Sequence, residues 1–186
     1  GRVTPADLAS PNQTEDWLRE QRRAVLWEAE GRESSVALLG STGLAFSVNG
    51  KVDGHARYDA GTQVMAGLLG ALLHPSPRRV LVVGLGTGST AGWLADVPGV
   101  ERVDVVELEP AIVEVARRCA PVNRNALANP RLRLFFGDAR EHLLTTRERY
   151  DLVVAGMILI GLIGLGLDTL MRRIEHLRSL KWGFRS

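Results

Sequence analysis

The chain has 186 residues, 45% of them hydrophobic and 24% charged, with a formal net charge of +2. That length and balance suit one domain with a real core and exclude wholesale disorder. Lys and Arg are dispersed except in a short tail from Arg172 to Arg185, so no basic stripe marks a nucleic-acid surface and no nucleic-acid partner is expected.

In chain order, GRVTPADLASPNQ is polar, lacks the apolar core of a signal peptide and reads as a flexible lead-in. Thr14 to Trp27 predicts a short helix capped by Thr14 or Asn12, with Val25 to Trp27 open to an extended reading. Two apolar runs, Val36–Leu39 and Leu44–Val48, flank a Gly-Ser-Thr-Gly break, and Asn49-Gly50 is a strong hairpin signal. Asp59 to Leu73 carries apolar residues at helical spacing and is stopped by Pro75 and Pro77. From Arg79 the pattern alternates. Strands are expected at Val80–Val83, Arg102–Glu107, Arg131–Phe136 and Tyr150–Ala155, separated by helices beginning near Ser89, at Pro110 with Glu109 as its cap, and after Asp138. Strands this apolar need cover on both faces, which predicts a parallel sheet in an α/β sandwich with strand order 3-2-1-4. Cys119 stands alone in PAIVEVARRCA, which excludes an internal disulfide and reads as a buried small hydrophobe. The four histidines show no close ligand spacing, and no metal is expected.

The domain reading is a lead-in and short helix over 1–34, a β-meander over 35–56, a Rossmann-like domain over 57–155 that stops after its fourth strand, and an apolar helix with a basic tail over 156–186. The fold class is α/β: an incomplete Rossmann-like, methyltransferase-type parallel sheet, a small N-terminal β-rich part and an apolar C-terminal helix.

GLGTGS directly follows a strand and precedes a helix, where Gly84, Gly86 and Gly88 remove Cβ atoms that would keep a ligand from the backbone. Glu107 ends the second strand beside this loop, where a carboxylate can accept both hydroxyls of a ribose. Asp138 follows the third strand, where it can meet an adenine amine as well as cap a helix. Convergence on one sheet edge predicts an adenosine-like ligand, and the GxGxG spacing departs from the GxGxxG of nicotinamide binders.

Residues from about Glu28 to Ala155 resemble the spermidine synthase, or polyamine aminopropyltransferase, family in EGRESSVALL, SVNGK, RVLVVGLGTG, VERVDVVELEPAIVEVAR, NPRLRLFFGDAREHL and YDLVV. The resemblance implies a small N-terminal β-domain, a methyltransferase-like Rossmann domain, and aminopropyl transfer from decarboxylated S-adenosylmethionine to a polyamine acceptor. It implies that Gly84, Gly86, Thr87 and Gly88 lie against the sulfonium ligand, that Glu107 holds its ribose, and that Asp138 and Ala139 meet its adenine. It further implies a homodimer, and a cytoplasmic location is expected.

The departures lie on the amine side. Thr87 stands where the family often has an acid, Asp53 where a Gln is common, and Thr62 in place of a Tyr. After the fourth strand the family's D-x-S-D-P-like segment is replaced by AGMILIG, and Asp151 precedes that strand, at the wrong edge. Carboxylates are needed there because donor and acceptor are both cationic and the attacking amine must lose a proton. Asp59 and Asp53 are the only substitutes the sequence offers, and the catalytic residue is otherwise unassigned. Two alternatives follow: a small-molecule methyltransferase using S-adenosylmethionine, and a catalytically silent fragment.

Leu152 to Leu167 holds no charged residue over sixteen positions, and Arg172, Arg173, Arg178 and Lys181 follow. A helix of that length spans roughly 24 Å, short of the roughly twenty residues a bilayer core requires. The tail resembles the last membrane helix and cytoplasmic end of nitrate/taurine-type ABC-transporter permeases. The sequence therefore predicts a composite chain joined near Val154–Met157, with membrane association through 156–171. The alternative is a natural protein in which residues 157–180 form a helix over the unfinished sheet.

Overall fold

The computed structural model describes residues 10–40 and 43–155, and the chain divides into two compact units, Gly1–Val154 and Ala155–Ser186. Expectations for the lead-in before Ser10 and for the apolar helix and basic tail over 156–186 lie outside the described residues. Among the described residues no helix is long and apolar enough to cross a membrane. That overturns the expected membrane-associated localisation; the segment 156–171, on which it rested, is not among the residues described.

Helix α1 spans Pro11–Ala24. The Ser10 Oγ caps it by accepting the Gln13 N–H at 3.3 Å, and Pro11 occupies the first position, where a missing N–H goes unnoticed. The helix therefore starts ahead of the expected Thr14 or Asn12 caps. It also stops before Trp27, because VLWEAE alternates inward and outward residues and pairs as strand β1 (Val25–Glu30). The first sheet thus begins ten residues before the expected 35. Strands β2 (Ser35–Leu39), β3 (Ala45–Val48) and β4 (Lys51–His55) complete an antiparallel meander in chain order. At the β3–β4 turn Asn49 and Gly50 have φ of 49° and 75°. Positive φ at both positions is the two-residue turn whose twist suits a hairpin, and it sets Val48 opposite Lys51.

Helix α2 (Ala60–Leu73) leads to the second sheet. Its strands are β5 (Arg79–Val83), β6 (Arg102–Glu107), β7 (Leu132–Phe136) and β8 (Leu152–Ala155), in the order β7-β6-β5-β8. This is the 3-2-1-4 arrangement the alternating pattern implies. β5 pairs parallel with β6 and β6 with β7, placing Val80 opposite Val103 and Val105 opposite Leu134. Val80, Leu81, Val82, Val103, Val105 and Val106 are all buried, so the two central strands are covered on both faces. At about 1.5–3 kcal/mol for each fully buried aliphatic side chain, these strands anchor the domain. Helices α3 (Ser89–Ala95) and α4 (Ile112–Arg118) contribute Leu94, Ile112 and Val115 to the same core, and Cys119 is buried beside them. Burial pushes its thiol up to about 11, an inert state. Helix α5 (Ala139–Thr145) follows β7.

Asp151 fixes the amino-terminal edge. Its Oδ2 accepts the N–H groups of Arg78 and Arg79 at 3.0 and 2.8 Å, at the start of β5. It therefore sits opposite the edge that carries the glycine loop.

Candidate functional site

Strand β5 runs into Gly84, whose N–H still donates to Val106 O at 2.9 Å before the chain turns away. Gly84, Gly86 and Gly88 take φ of 84°, 52° and 80°, a region costly for any side chain. They differ in surroundings. A Cβ at Gly84 would meet open space, whereas one at Gly88 would press on Asn123 Nδ2 at 2.8 Å. The loop therefore offers bare backbone on one side and is packed against protein on the other.

The packed side is held by residues that sequence reasoning did not single out. Asn123 is fully buried; its amide donates to Thr87 O and Ala116 O, both at 2.7 Å, and its Oδ1 accepts the Ala126 N–H at 3.1 Å. Gln63, one turn into α2, accepts a hydrogen bond from the Thr87 hydroxyl, and its backbone carbonyl accepts the Thr90 hydroxyl at 2.7 Å. The Thr87 side chain is thus buried against Gln63 and Ser89, and its hydroxyl is directed at protein partners.

Glu107 closes the other side of the loop. Register places it at the carboxyl end of β6 opposite Phe136, and the Gly137 N–H donates to Glu107 O at 3.0 Å. Its side chain is only 8% exposed. Oε2 accepts the Leu85 N–H at 2.7 Å and Oε1 the Glu109 N–H at 2.9 Å. A carboxylate oxygen has a second acceptor position, so both oxygens retain capacity for a pair of hydroxyls. Two N–H donors fix the plane in which those positions point.

Asp138 caps α5: its Oδ1 accepts the Arg140 N–H at 2.7 Å, and the Arg140 guanidinium clasps the same carboxylate. That contact, ahead of the backbone bonds, draws its pKa down to about 2. Ala139 opens α5 immediately afterwards. Both follow β7 at the edge where Glu107 ends β6. Asp59 precedes α2; its Oδ2 accepts the His55 N–H at 2.8 Å and lies 3.4 Å from His55 Nδ1. It stands one turn before Gln63, whose N–H donates to Asp59 O at 2.9 Å. Asp53 is exposed on β4. Among the described residues no group of three or more His, Cys, Asp or Glu is placed to hold a metal ion.

The glycine loop, Glu107 and the Asp138–Ala139 turn therefore share the carboxyl edge of β5, β6 and β7. A parallel sheet presents ligands at that edge.

Known proteins with similar sequences and folds bear on this edge. Polyamine aminopropyltransferase from Thermococcus onnurineus is 37% identical over 83 residues, which are 45% of this chain and 29% of that protein. The Nitrosomonas europaea protein of the same name is 40% identical over 87 residues, 46% of this chain and 27% of its own length. Spermidine synthase of Dictyostelium discoideum is 30% identical over 114 residues, 61% and 40% of the two chains. The chain thus spans less than half the length of each of these relatives. Among solved structures, spermidine synthase from Thermotoga maritima superposes with a TM-score of 0.65 at 18% identity, over 72% of this chain and 47% of that one, a likeness of fold. None of these comparisons supports a permease-like tail. The spermine/spermidine synthase domain pattern matches residues 60–162, past the junction expected at Val154–Met157. Because that match takes in more than half of the chain and encloses the whole carboxyl-edge loop system, this chain belongs to the spermine/spermidine synthase family.

Proposed function

We propose that the chain binds an adenosyl sulfonium donor, or its thioether product, at the carboxyl edge of the second sheet, and that this serves aminopropyl transfer to a polyamine. The carrying observation is the buried Glu107 carboxylate, pinned by the Leu85 and Glu109 N–H groups directly beside the glycine loop. Gly84 and Gly86 let the backbone approach the sulfonium side, Glu107 accepts the two ribose hydroxyls, and Asp138 with Ala139 meets the adenine. Thr87 acts from behind, keeping the loop in register through Gln63. A spermidine synthase of the same fold, 18% identical with a TM-score of 0.65, has been solved in complex with the transition state analogue AdoDATO, which supports a nucleoside-type ligand here.

On the acceptor side Asp59 is the stronger candidate, because it stands at the end of α2 that also supplies Gln63. Asp53 belongs to the same proposal from β4. Nucleoside binding without transfer is the second reading, favoured by the sequence GMILIG after β8 and by Asp151 being spent at the opposite edge. A homodimer is part of the family reading and is read from sedimentation.

Calorimetry with S-adenosylmethionine, its decarboxylated form and 5′-methylthioadenosine tests the site. Preference for the decarboxylated donor, with turnover on putrescine, supports aminopropyl transfer. Preference for S-adenosylmethionine itself supports a methyltransferase, and binding without turnover the silent reading. Glu107→Gln should weaken nucleoside binding by roughly 1–3 kcal/mol, the worth of a charged hydrogen-bond partner. Unchanged affinity removes Glu107 from the site.

A further inference from the structure

We propose that Glu109 is a positioning residue that locks the β1–β2 turn of the N-terminal sheet onto Glu107, so that the first sheet sets the geometry of the carboxylate at the ligand edge. This rests on the reading of Glu107 as the ribose acceptor.

Glu109 is a buried charge, 6% exposed, with unusual partners. Its Oε1 accepts the Ala111 N–H at 3.1 Å, the local bond expected ahead of α4. Its Oε2 faces the other way and accepts the N–H groups of Glu33 and Ser34 at 2.9 and 3.3 Å, with the Ser34 hydroxyl at 3.5 Å. Those donors lie 76 and 75 positions earlier in the chain, in the turn between β1 and β2. A helix cap alone would need none of them.

Gly31 supplies an independent sign. Its φ is not in the left-handed region, so its backbone does not require glycine. A Cβ there would collide with the Glu109 carboxylate. The turn lacks a side chain at the place where the carboxylate enters.

The lock acts on Glu107 through one bond. The Glu109 backbone N–H donates to Glu107 Oε1 at 2.9 Å, and Glu107 Oε2 takes the Leu85 N–H of the glycine loop. The path runs from turn 31–34 through Glu109 and Glu107 to Leu85. It also answers an electrostatic problem. Two buried carboxylates two residues apart repel each other. Burial raises the Glu109 pKa, yet the N–H groups of Glu33, Ala111, Arg32 and Ser34 together outweigh it and hold the group below the ordinary carboxylate range.

The test uses the full chain with Glu109→Gln, which keeps shape and one accepting oxygen, and Gly31→Ala, which acts from the turn side. Binding of 5′-methylthioadenosine is compared with that of its 2′-deoxy counterpart, and amide exchange at Leu85 is followed without ligand. Wild type should prefer the ribose form, and each variant should cut that preference about fivefold, because misaligned acceptors lose hydrogen bonds that adenine contacts do not share. A variant that only lowered stability would weaken both ligands alike. If wild type shows the preference and folded variants keep it, the positioning role is overturned. If wild type shows none, the ribose assignment of Glu107 fails on its own, and Leu85 decides the lock. A loss of protection of about tenfold in both variants upholds it, and wild-type protection in a folded variant ends it.

Discussion

Asn123 fastens three separate backbone groups with one side chain and has no access to solvent. Removing it leaves Thr87 O, Ala116 O and the Ala126 N–H buried without partners. Asn123→Ala should therefore destabilise the protein by roughly 2–4 kcal/mol, above the usual cost of a surface change, as read from urea unfolding. It should also loosen the glycine loop. Nothing in PVNRNAL announces this role, because its partners lie seven and thirty-six positions away and the type is common in turns. Asp138 is different: its position after a strand and before a helix already marks it as a cap. Its carboxyl should titrate near pH 2 by NMR, and Arg140→Ala should move the midpoint up towards the ordinary range, since the Arg140 contact is the main cause. The sign follows from the depressed pKa. The cap's contribution is complete above the unfolded value of about 3.9 and fades as pH falls towards about 2.

Among the elements, the parallel strands were legible because each is a short apolar run closed by a turn signal, and the glycine loop because three glycines stand between a strand and a helix. The α1–β1 boundary was not. QRRAVLWEAE supports both periods locally, and only pairing with β2 selects the extended form from Val25 onward. The link between β6 and the segment before β8 was equally hidden. Tyr150 donates to Asp104 Oδ2 at 2.9 Å in the middle of β6, while Arg102 pairs with Asp104 and with Glu148. Burial, then the bond to Asp104, pushes the Tyr150 phenol up to about 12. Tyr150→Phe should cost roughly 1–3 kcal/mol, because it strips a partner from an aspartate that is 1% exposed. A melting curve unchanged from wild type would show that the hydroxyl contributes nothing.

Across the described molecule, protection is uneven. Val80, Leu81, Val103 and Val105 are sealed on both faces, whereas Phe136 on β7 and Leu144 on α5 are 52% and 86% exposed. Amide exchange should follow that division. The β5 and β6 amides should exchange only through global unfolding, and those of α5 and outer β7 through local opening at lower free energy. Equal protection throughout would contradict this. The proposed acceptor side is where legibility ends in both directions. Asp53 and Asp59 could be named from sequence, but the residues that tie α2 and the first sheet to the carboxyl edge, Gln63 and Glu109, make their contacts across 24 and 76 positions.

The Asp151 clasp bears on how the protein is made. β5 leads the second sheet, yet the carboxylate that satisfies the Arg78 and Arg79 amides at its start is encoded seventy-two to seventy-three residues later. On a ribosome adding about 5–20 residues per second, roughly 4–15 s separate the two. During that interval the opening of β5 is a bare strand end on a nascent chain that already carries the glycine loop. The glycine loop is therefore translated well before the carboxylate that caps the start of β5.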